Sequence, residues 1–395
     1  RIPKTWNREL PMTCGYCAKF GENMKTELSM VHFQLTSRCN LRCPFCGQWG
    51  TDGFMKNEAP MELPFDVWKN AADSIAQYCR RHNLELPDIC LWGGEPLLHP
   101  DFEEISAYLY ACGFNLGVVT NGYLLPERVK SINPYFKTVY LSIDGPEQEH
   151  DRIRGCKGLW SRIAEGLVEL DDNIHTVVMC AITGSNVDIL EKVPFAAGGL
   201  RVDSLLLQNL IFLDAENAAD IKSWLLREFN QVSCHIDSWV DADPKAWVDR
   251  LPAILQRIET HIEKGTYPVT TEIRPKELTS KNILDWYRNP EKLENSFDDY
   301  CLSPVSHLSI TAKGNVTPCV DFDAFSAGNI LESNIMDIWN NEIMRKYGDQ
   351  INTRRNRFCL RCPWRFNPQH QLDKKNAVEY RESNEKKRNY AICCN

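Results

Sequence analysis

The stretch Thr36-Ser-Arg-Cys-Asn-Leu-Arg-Cys-Pro-Phe-Cys-Gly47 carries Cys39, Cys43 and Cys46, with three residues in the first gap and two in the second. Three thiolates on one short loop can hold three irons of a cubic [4Fe–4S] cluster and leave the fourth iron without a protein ligand. A cluster used only for structure or electron relay is ordinarily closed by a fourth ligand. An open iron is a place for a small molecule to bind. An apolar, strand-like run, Met30 to Leu35, leads into the loop, and Phe45 precedes the third cysteine. Zinc is the alternative for clustered cysteines, but structural zinc sites usually use two pairs of two-residue spacing, and one gap here has three.

Other segments point the same way. Ile89-Cys-Leu-Trp-Gly-Gly-Glu-Pro-Leu97 reads as a strand meeting a tight turn, and glycines there let backbone approach a ligand closely. Val118-Val-Thr-Asn-Gly122 and Val139-Tyr-Leu-Ser-Ile-Asp-Gly145 are apolar strands ending in small polar residues, as at the rim of a parallel barrel. His150-Asp-Arg-Ile-Arg-Gly155 follows. With the cysteine loop, these segments resemble the radical S-adenosylmethionine (radical SAM) superfamily. The resemblance implies that SAM chelates the open iron through its amino and carboxylate groups. It also implies that Gly93, Gly94 and Glu95 hold the SAM amino group and that Ser142 and Asp144 lie near the ribose. Arg154 could meet the SAM carboxylate, since a guanidinium suits carboxylates bidentately; a solvated or structural arginine is the other reading.

The chain has 395 residues, enough for two or three compact units, and its 43% hydrophobic content is ordinary for a globular protein. No apolar run reaches the length of a membrane span, and no secretory leader is visible. The net charge of −8 argues against nucleic acid as a partner. The short basic clusters at Arg354–Arg357 and Lys386–Arg388 read as solvated surface. Seventeen cysteines would suggest disulfides in a secreted chain, but these spacings suggest metal, and iron–sulfur clusters need reducing surroundings. The expectation is a cytoplasmic protein.

Candidate strands at 31–35, 88–92, 115–119, 138–143, 175–182 and 203–208 alternate with helical patterns near 65–81, 102–112, 124–132, 159–171 and 187–196. Such alternation argues for a parallel α/β sheet, and its six units match the partial (β/α)6, TIM-like barrel that the resemblance implies. The predicted division is a lead-in over 1–29, the barrel over 30–208, a helical insertion over 209–300, a small cysteine-rich hairpin-and-helix extension over 301–366 and a tail over 367–395. The insertion follows the last barrel strand and is a candidate wall of a substrate pocket.

In the extension, Leu308-Ser-Ile-Thr-Ala-Lys-Gly-Asn-Val-Thr-Pro-Cys319 looks like a hairpin turning at Lys313-Gly314-Asn315, which aims Cys319 back toward Cys301. With Cys359 and Cys362 these make a closed four-thiolate site. The arrangement resembles the auxiliary-cluster extension of radical SAM enzymes, SPASM in its long form and twitch in its short form. No further cysteine follows in Pro363-Trp-Arg-Phe-Asn-Pro-Gln, which favours the one-cluster form. Zinc is again the alternative for a closed four-cysteine site. Cys14 with Cys17, and Cys393 with Cys394, are left as unligated thiols or a third metal site.

The resemblance implies an enzyme with two [4Fe–4S] clusters and SAM, fed by an electron donor such as flavodoxin or ferredoxin. One electron splits SAM into methionine and a 5′-deoxyadenosyl radical, which takes hydrogen from an unactivated C–H bond. If the auxiliary cluster accepts the substrate electron, the reaction is a dehydrogenation or bond-forming oxidation. If a thiol returns hydrogen, it is an epimerisation; Cys156 is the candidate donor. About thirty residues precede the first strand, where peptide-modifying relatives often carry a leader-binding domain. The expected substrate is therefore a small molecule such as a sugar, aminocyclitol or modified amino acid. The alternatives are a maturase of ribosomal peptides and a non-catalytic iron–sulfur carrier or scaffold, for which Gly93-Gly94-Glu95 would serve no purpose.

Overall fold

The computed structural model describes residues 28–240, 245–293, 301, 303–353 and 357–364. The Cys14/Cys17 and Cys393/Cys394 pairs lie outside the described residues, as do most of the lead-in and the whole tail.

Strands β1 (Met30–Thr36), β2 (Asp88–Gly93), β3 (Leu116–Thr120), β4 (Phe136–Ser142), β5 (His175–Ile182) and β6 (Ser204–Asn209) run parallel in sequence order. They are rich in Val, Ile and Leu because helices cover the sheet, so residues such as Val31, Phe33, Leu91, Val118, Val139 and Leu205 are buried. The crossover helix Phe65–His82 shows how each unit is fixed. Trp68 is fully buried, lies 4.9 Å from the Phe33 ring and donates its Nε1–H to Leu63 O at 3.0 Å. Asn83 then ends the helix in the left-handed conformation, at φ 53°.

Two features depart from the expectation. Residues 209–300 are not wholly helical: beside the helices Ala215–Phe229 and Leu251–Glu263, Thr270–Arg274 forms β7, parallel to β6. Its sequence, Thr-Thr-Glu-Ile-Arg, has one aliphatic residue and so no visible apolar run. The hairpin of the extension, β8 (His307–Ile310) and β9 (Asn315–Thr317), does not stand apart. Strand β8 pairs in parallel with β1, from Met30 opposite His307 to Phe33 opposite Ile310, and β10 (Gly328–Asn329) follows on β9. One open sheet results, in the order β10-β9-β8-β1-β2-β3-β4-β5-β6-β7. Gly314, at φ +85°, makes the hairpin turn, a conformation that other residues adopt only with strain.

Helix Ala215–Phe229 is locked to the extension by rings: Phe229 lies 4.9 Å from Phe325, and Trp224 lies 6.1 Å from Tyr347. Among the described residues no helix is long and apolar enough to cross a membrane.

Candidate active site

The loop after β1 folds on itself through Cys46 N–H to Cys43 O (3.0 Å), Gly50 N–H to Cys46 O (2.7 Å) and Thr51 N–H to Pro44 O (3.0 Å). Backbone N–H groups point at two of the sulfurs: Leu41 to Cys39 Sγ and Trp49 to Cys46 Sγ, both at 3.4 Å. The third, Cys43 Sγ, has the Arg154 guanidinium 3.8 Å away. Burial pushes the Cys39 thiol up to about 12 and raises Cys43 as well, Cys43 less for having Arg154 beside it. Such thiols ionise when a cation arrives to take the charge. Asn121, from the end of β3, reaches both Asn40 Oδ1 (2.9 Å) and Cys39 Sγ (3.9 Å), a contact the sequence reading did not assign.

Gly93 and Gly94 sit against this loop. A Cβ on Gly93 would lie 2.3 Å from Thr36 O, and one on Gly94 would lie 2.1 Å from Arg38 O. The backbone closes the gap with Gly94 N–H to Thr36 O (2.8 Å) and Glu95 N–H to Arg38 O (2.7 Å). The glycines are thus needed where β2 ends against the cysteine loop. Glu95 was expected to reach the SAM ammonium. Its carboxylate is fully buried and accepts from Asn121 N (2.8 Å), Thr120 Oγ1 (2.8 Å) and Leu97 N (3.2 Å). Burial raises its pKa to about 7 against those donors.

At the end of β4, Ser142 is half-buried and Asp144 fully buried. Asp144 accepts from Arg154 Nε at 2.6 Å and from Ala181 N at 3.0 Å, one bond to each of its oxygens. Burial opposes the charge of Arg154, but Asp144 and Cys43 outweigh it and keep the guanidinium ionised. Arg154 therefore links Asp144 to the second cysteine. Cys156 is half-buried in the turn between helices Glu147–Arg154 and Leu159–Glu169, with its N–H on Asp151 O at 2.9 Å.

The extension gathers its own set. Cys301, Cys319, Cys359 and Cys362 lie near enough for each to oppose its neighbours' ionisation; burial, then Asp321 and the other thiols, raises Cys319 and Cys362 well above the usual range. Tyr347 is buried beside all four. Asp321 is two residues beyond Cys319, and burial lifts it to about 6. Neither Tyr347 nor Asp321 was singled out from sequence, although the Asp-Phe-Asp run after Cys319 was a signal.

The radical SAM superfamily model matches residues 33–193, and the SPASM iron–sulfur cluster-binding domain matches residues 301–363. Residues 33–193 are a radical SAM domain and residues 301–363 a SPASM domain. It is 27% identical over 309 residues to the sporulation killing factor maturation protein SkfB of Bacillus subtilis, covering 77% of this chain. That match spans 63% of the relative's length, under two thirds. Identity is 23% over 359 residues to the Fe-coproporphyrin III synthase of Methanosarcina barkeri, covering 86% of this chain and 82% of that one. Streptococcus suis SuiB bound to the precursor peptide SuiA has the same fold, with a TM-score of 0.58 at 14% identity over 92% of this chain and 78% of that one.

A radical SAM domain takes a [4Fe–4S] cluster and SAM, and a SPASM domain takes auxiliary iron–sulfur clusters. The donor sets fit. Three thiolates at the first set leave one iron of a cubic cluster open, and four at the second can close one. Among the described residues Glu58, Cys234 and His235 form a group whose ligand atoms all lie within 4.8 Å of one another.

A cavity of about 670 Å³ opens between the radical SAM domain and the SPASM domain. Gln34 and Ser37 line it from the end of β1, Phe54 and Glu58 from beyond the cysteine loop, His235 from the insertion, and Lys313 and Asp323 from the extension. His235 stacks on Phe54 at 3.8 Å and lies between Glu58 Oε1 (3.2 Å from Nε2) and Asp323 Oδ2 (3.1 Å from Nδ1). Lys313 pairs with the other Glu58 oxygen. Burial works against a charge on His235, but Asp323 and Glu58 prevail and raise its pKa. Cys156 is not among the lining residues. None of these charged residues was marked by the sequence reading.

Proposed function

We propose that this radical SAM protein is an oxidoreductase that removes hydrogen from a compact polar molecule seated in the 670 Å³ cavity, with net two-electron oxidation. The cavity is the observation that carries the reading. Its volume suits a small molecule, and its charged lining of Glu58, Asp323, Lys313 and His235 favours a polar one. When bound, the SAM-site cluster and SAM supply a 5′-deoxyadenosyl radical, and the auxiliary cluster an acceptor for the second electron. In this reading Cys39, Cys43 and Cys46 hold the first cluster, and Cys301, Cys319, Cys359 and Cys362 the second. Gly93, Gly94, Glu95 and Asn121 brace the cysteine loop from the ends of β2 and β3. Asp144 orients Arg154 beside Cys43, and Ser142 faces the bound SAM from the end of β4. A cytoplasmic enzyme served by a flavodoxin or ferredoxin accords with this chemistry.

The likeness to SkfB favours a second reading, in which the cavity receives one side chain of a precursor peptide. Reduced enzyme is incubated anaerobically with SAM and deuterated pools of sugars, aminocyclitols, amino acids and peptides, and deuterium is followed into 5′-deoxyadenosine. Label from a small-molecule pool supports the first reading. Label from peptides alone replaces it with the second. No 5′-deoxyadenosine with any pool rejects catalysis and leaves an iron–sulfur carrier or scaffold.

A further inference from the structure

We propose that Glu58, Cys234 and His235 form a mononuclear site for a divalent transition metal on the wall of the cavity, separate from both cysteine sets. A carboxylate oxygen, the thiol sulfur and a ring nitrogen of these residues lie within 4.8 Å of one another, and all three residues line the cavity. The ligands come from two segments that the fold fixes independently. Glu58 follows the one-turn helix Phe54–Asn57, and Cys234 and His235 follow helix Ala215–Phe229.

The geometry at the imidazole makes the case. Nε2 faces Glu58 Oε1 at 3.2 Å, and Nδ1 is buried 3.1 Å from Asp323 Oδ2 without making a hydrogen bond. Nε2 and Oε1 can share a proton, or they can hold a metal ion between them, since nitrogen and oxygen ligands about 2.0–2.1 Å from a tetrahedral ion stand about 3.3 Å apart. Cys234 supplies a third, softer donor at the same point, which a shared proton would not need. The surroundings have the form of a support for ligands. The Asp323 carboxylate stands 3.1 Å behind Nδ1, where a ligating histidine takes its support, and the Phe54 ring clamps the imidazole from the side. Lys313 occupies Glu58 Oε2 and leaves Oε1 to face His235 Nε2. One thiolate and one carboxylate neutralise a dication. Three protein ligands beside an open cavity leave the fourth position for water or a heteroatom of the substrate, the pattern of a catalytic rather than a structural site.

The test uses the full chain carrying both iron–sulfur clusters. It is equilibrated anaerobically with zinc chloride, desalted, and analysed for zinc, iron and sulfide, with zinc-edge X-ray absorption on the same sample. The expected result is one zinc per chain in a shell of one sulfur at about 2.3 Å and nitrogen or oxygen at about 2.0–2.1 Å. Cys234→Ala should remove the sulfur from that shell, and Glu58→Gln should lower zinc affinity. Asp323→Asn should weaken affinity by about 10–100-fold, the usual effect of losing such a support. Iron and sulfide should stay at wild-type levels in each variant, which also reports that the fold is intact; Cys234 is exposed, so its replacement disturbs no packing. The proposal is overturned if the wild type retains no zinc, if Cys234→Ala and Glu58→Gln bind it as the wild type does, or if the shell contains only sulfur. That last result would put the metal in the cluster cysteines. Because the readout is metal content and coordination, it stands whatever substrate the cavity takes.

Discussion

Replacing Arg154 with glutamine should move both the reduction potential of the SAM-site cluster and the stability of the barrel. Arg154 Nη1 lies 3.8 Å from Cys43 Sγ, and Nε lies 2.6 Å from Asp144. Its side chain is 11% exposed and that of Asp144 is 0%, so solvent screens this pair little. A unit positive charge about 6 Å from an added electron, at an effective dielectric of about 20, stabilises the reduced cluster by about 3 kcal/mol, on the order of 100 mV. Removing it makes reduction harder, so the potential falls, and the now unpaired Asp144 charge acts in the same direction. On the stability side, breaking a buried pair and leaving one charge uncompensated costs about 3–5 kcal/mol. An EPR-monitored redox titration and anaerobic urea unfolding measure the two effects. The double variant Arg154→Gln/Asp144→Asn should recover most of the lost stability, because it removes the stranded charge. A potential within about 20 mV of wild type, or a loss below the roughly 1 kcal/mol of an exposed pair, would show that Arg154 is neither buried beside the cluster nor bound to Asp144.

Replacing Cys39, Cys43 and Cys46 together with alanine should reduce iron from about eight per chain to about four and abolish 5′-deoxyadenosine formation, as read by iron analysis and chromatography. Gly94→Ala should selectively empty the SAM-site cluster, since its Cβ would lie 2.1 Å from the Arg38 carbonyl that anchors the cysteine loop; iron analysis would again fall toward four. Glu95→Ala leaves the buried donors of Asn121, Thr120 and Leu97 without their acceptor and should lower stability by about 2–4 kcal/mol in urea. Cys359→Ala with Cys362→Ala should leave some 5′-deoxyadenosine formation but suppress oxidised product, with circular dichroism on the same sample checking that the extension remains folded.

The barrel was legible because parallel strands covered by helices carry runs rich in Val, Ile and Leu. Six strands were read to within two residues or so from runs such as Ile89 to Trp92 and Val177 to Ile182. Strand β7 was not, because Thr-Thr-Glu-Ile-Arg owes its place to pairing with β6 rather than to its own composition. The two cysteine sets announced themselves by spacing, which is local. The cavity did not: Glu58, His235, Lys313 and Asp323 come from separate segments, and each alone reads as a solvated residue. The glycine pair was visible as a motif, but its atomic reason, the Thr36 and Arg38 carbonyls across the gap, depends on a contact between β1 and β2 that no local pattern contains. Asp144 and Arg154 were marked separately, one for the ribose and one for the SAM carboxylate, while their bond to each other depends on how the end of β4 packs against the helix that follows.

The pairing of β1 with β8 constrains how the protein is born. Ser29 and Ser306, hydrogen-bonded at this seam, are 277 positions apart. A ribosome adding about 5–20 residues per second needs roughly a quarter-minute to a minute to cover that distance. Throughout that interval one edge of the first strand has no partner, and the loop rooted at its end lacks its neighbour on that side. Assembly at this edge is therefore paced by translation rather than by diffusion of the chain. A slow stretch of message or an early stop within the insertion would leave an unpaired, apolar strand edge open to other chains.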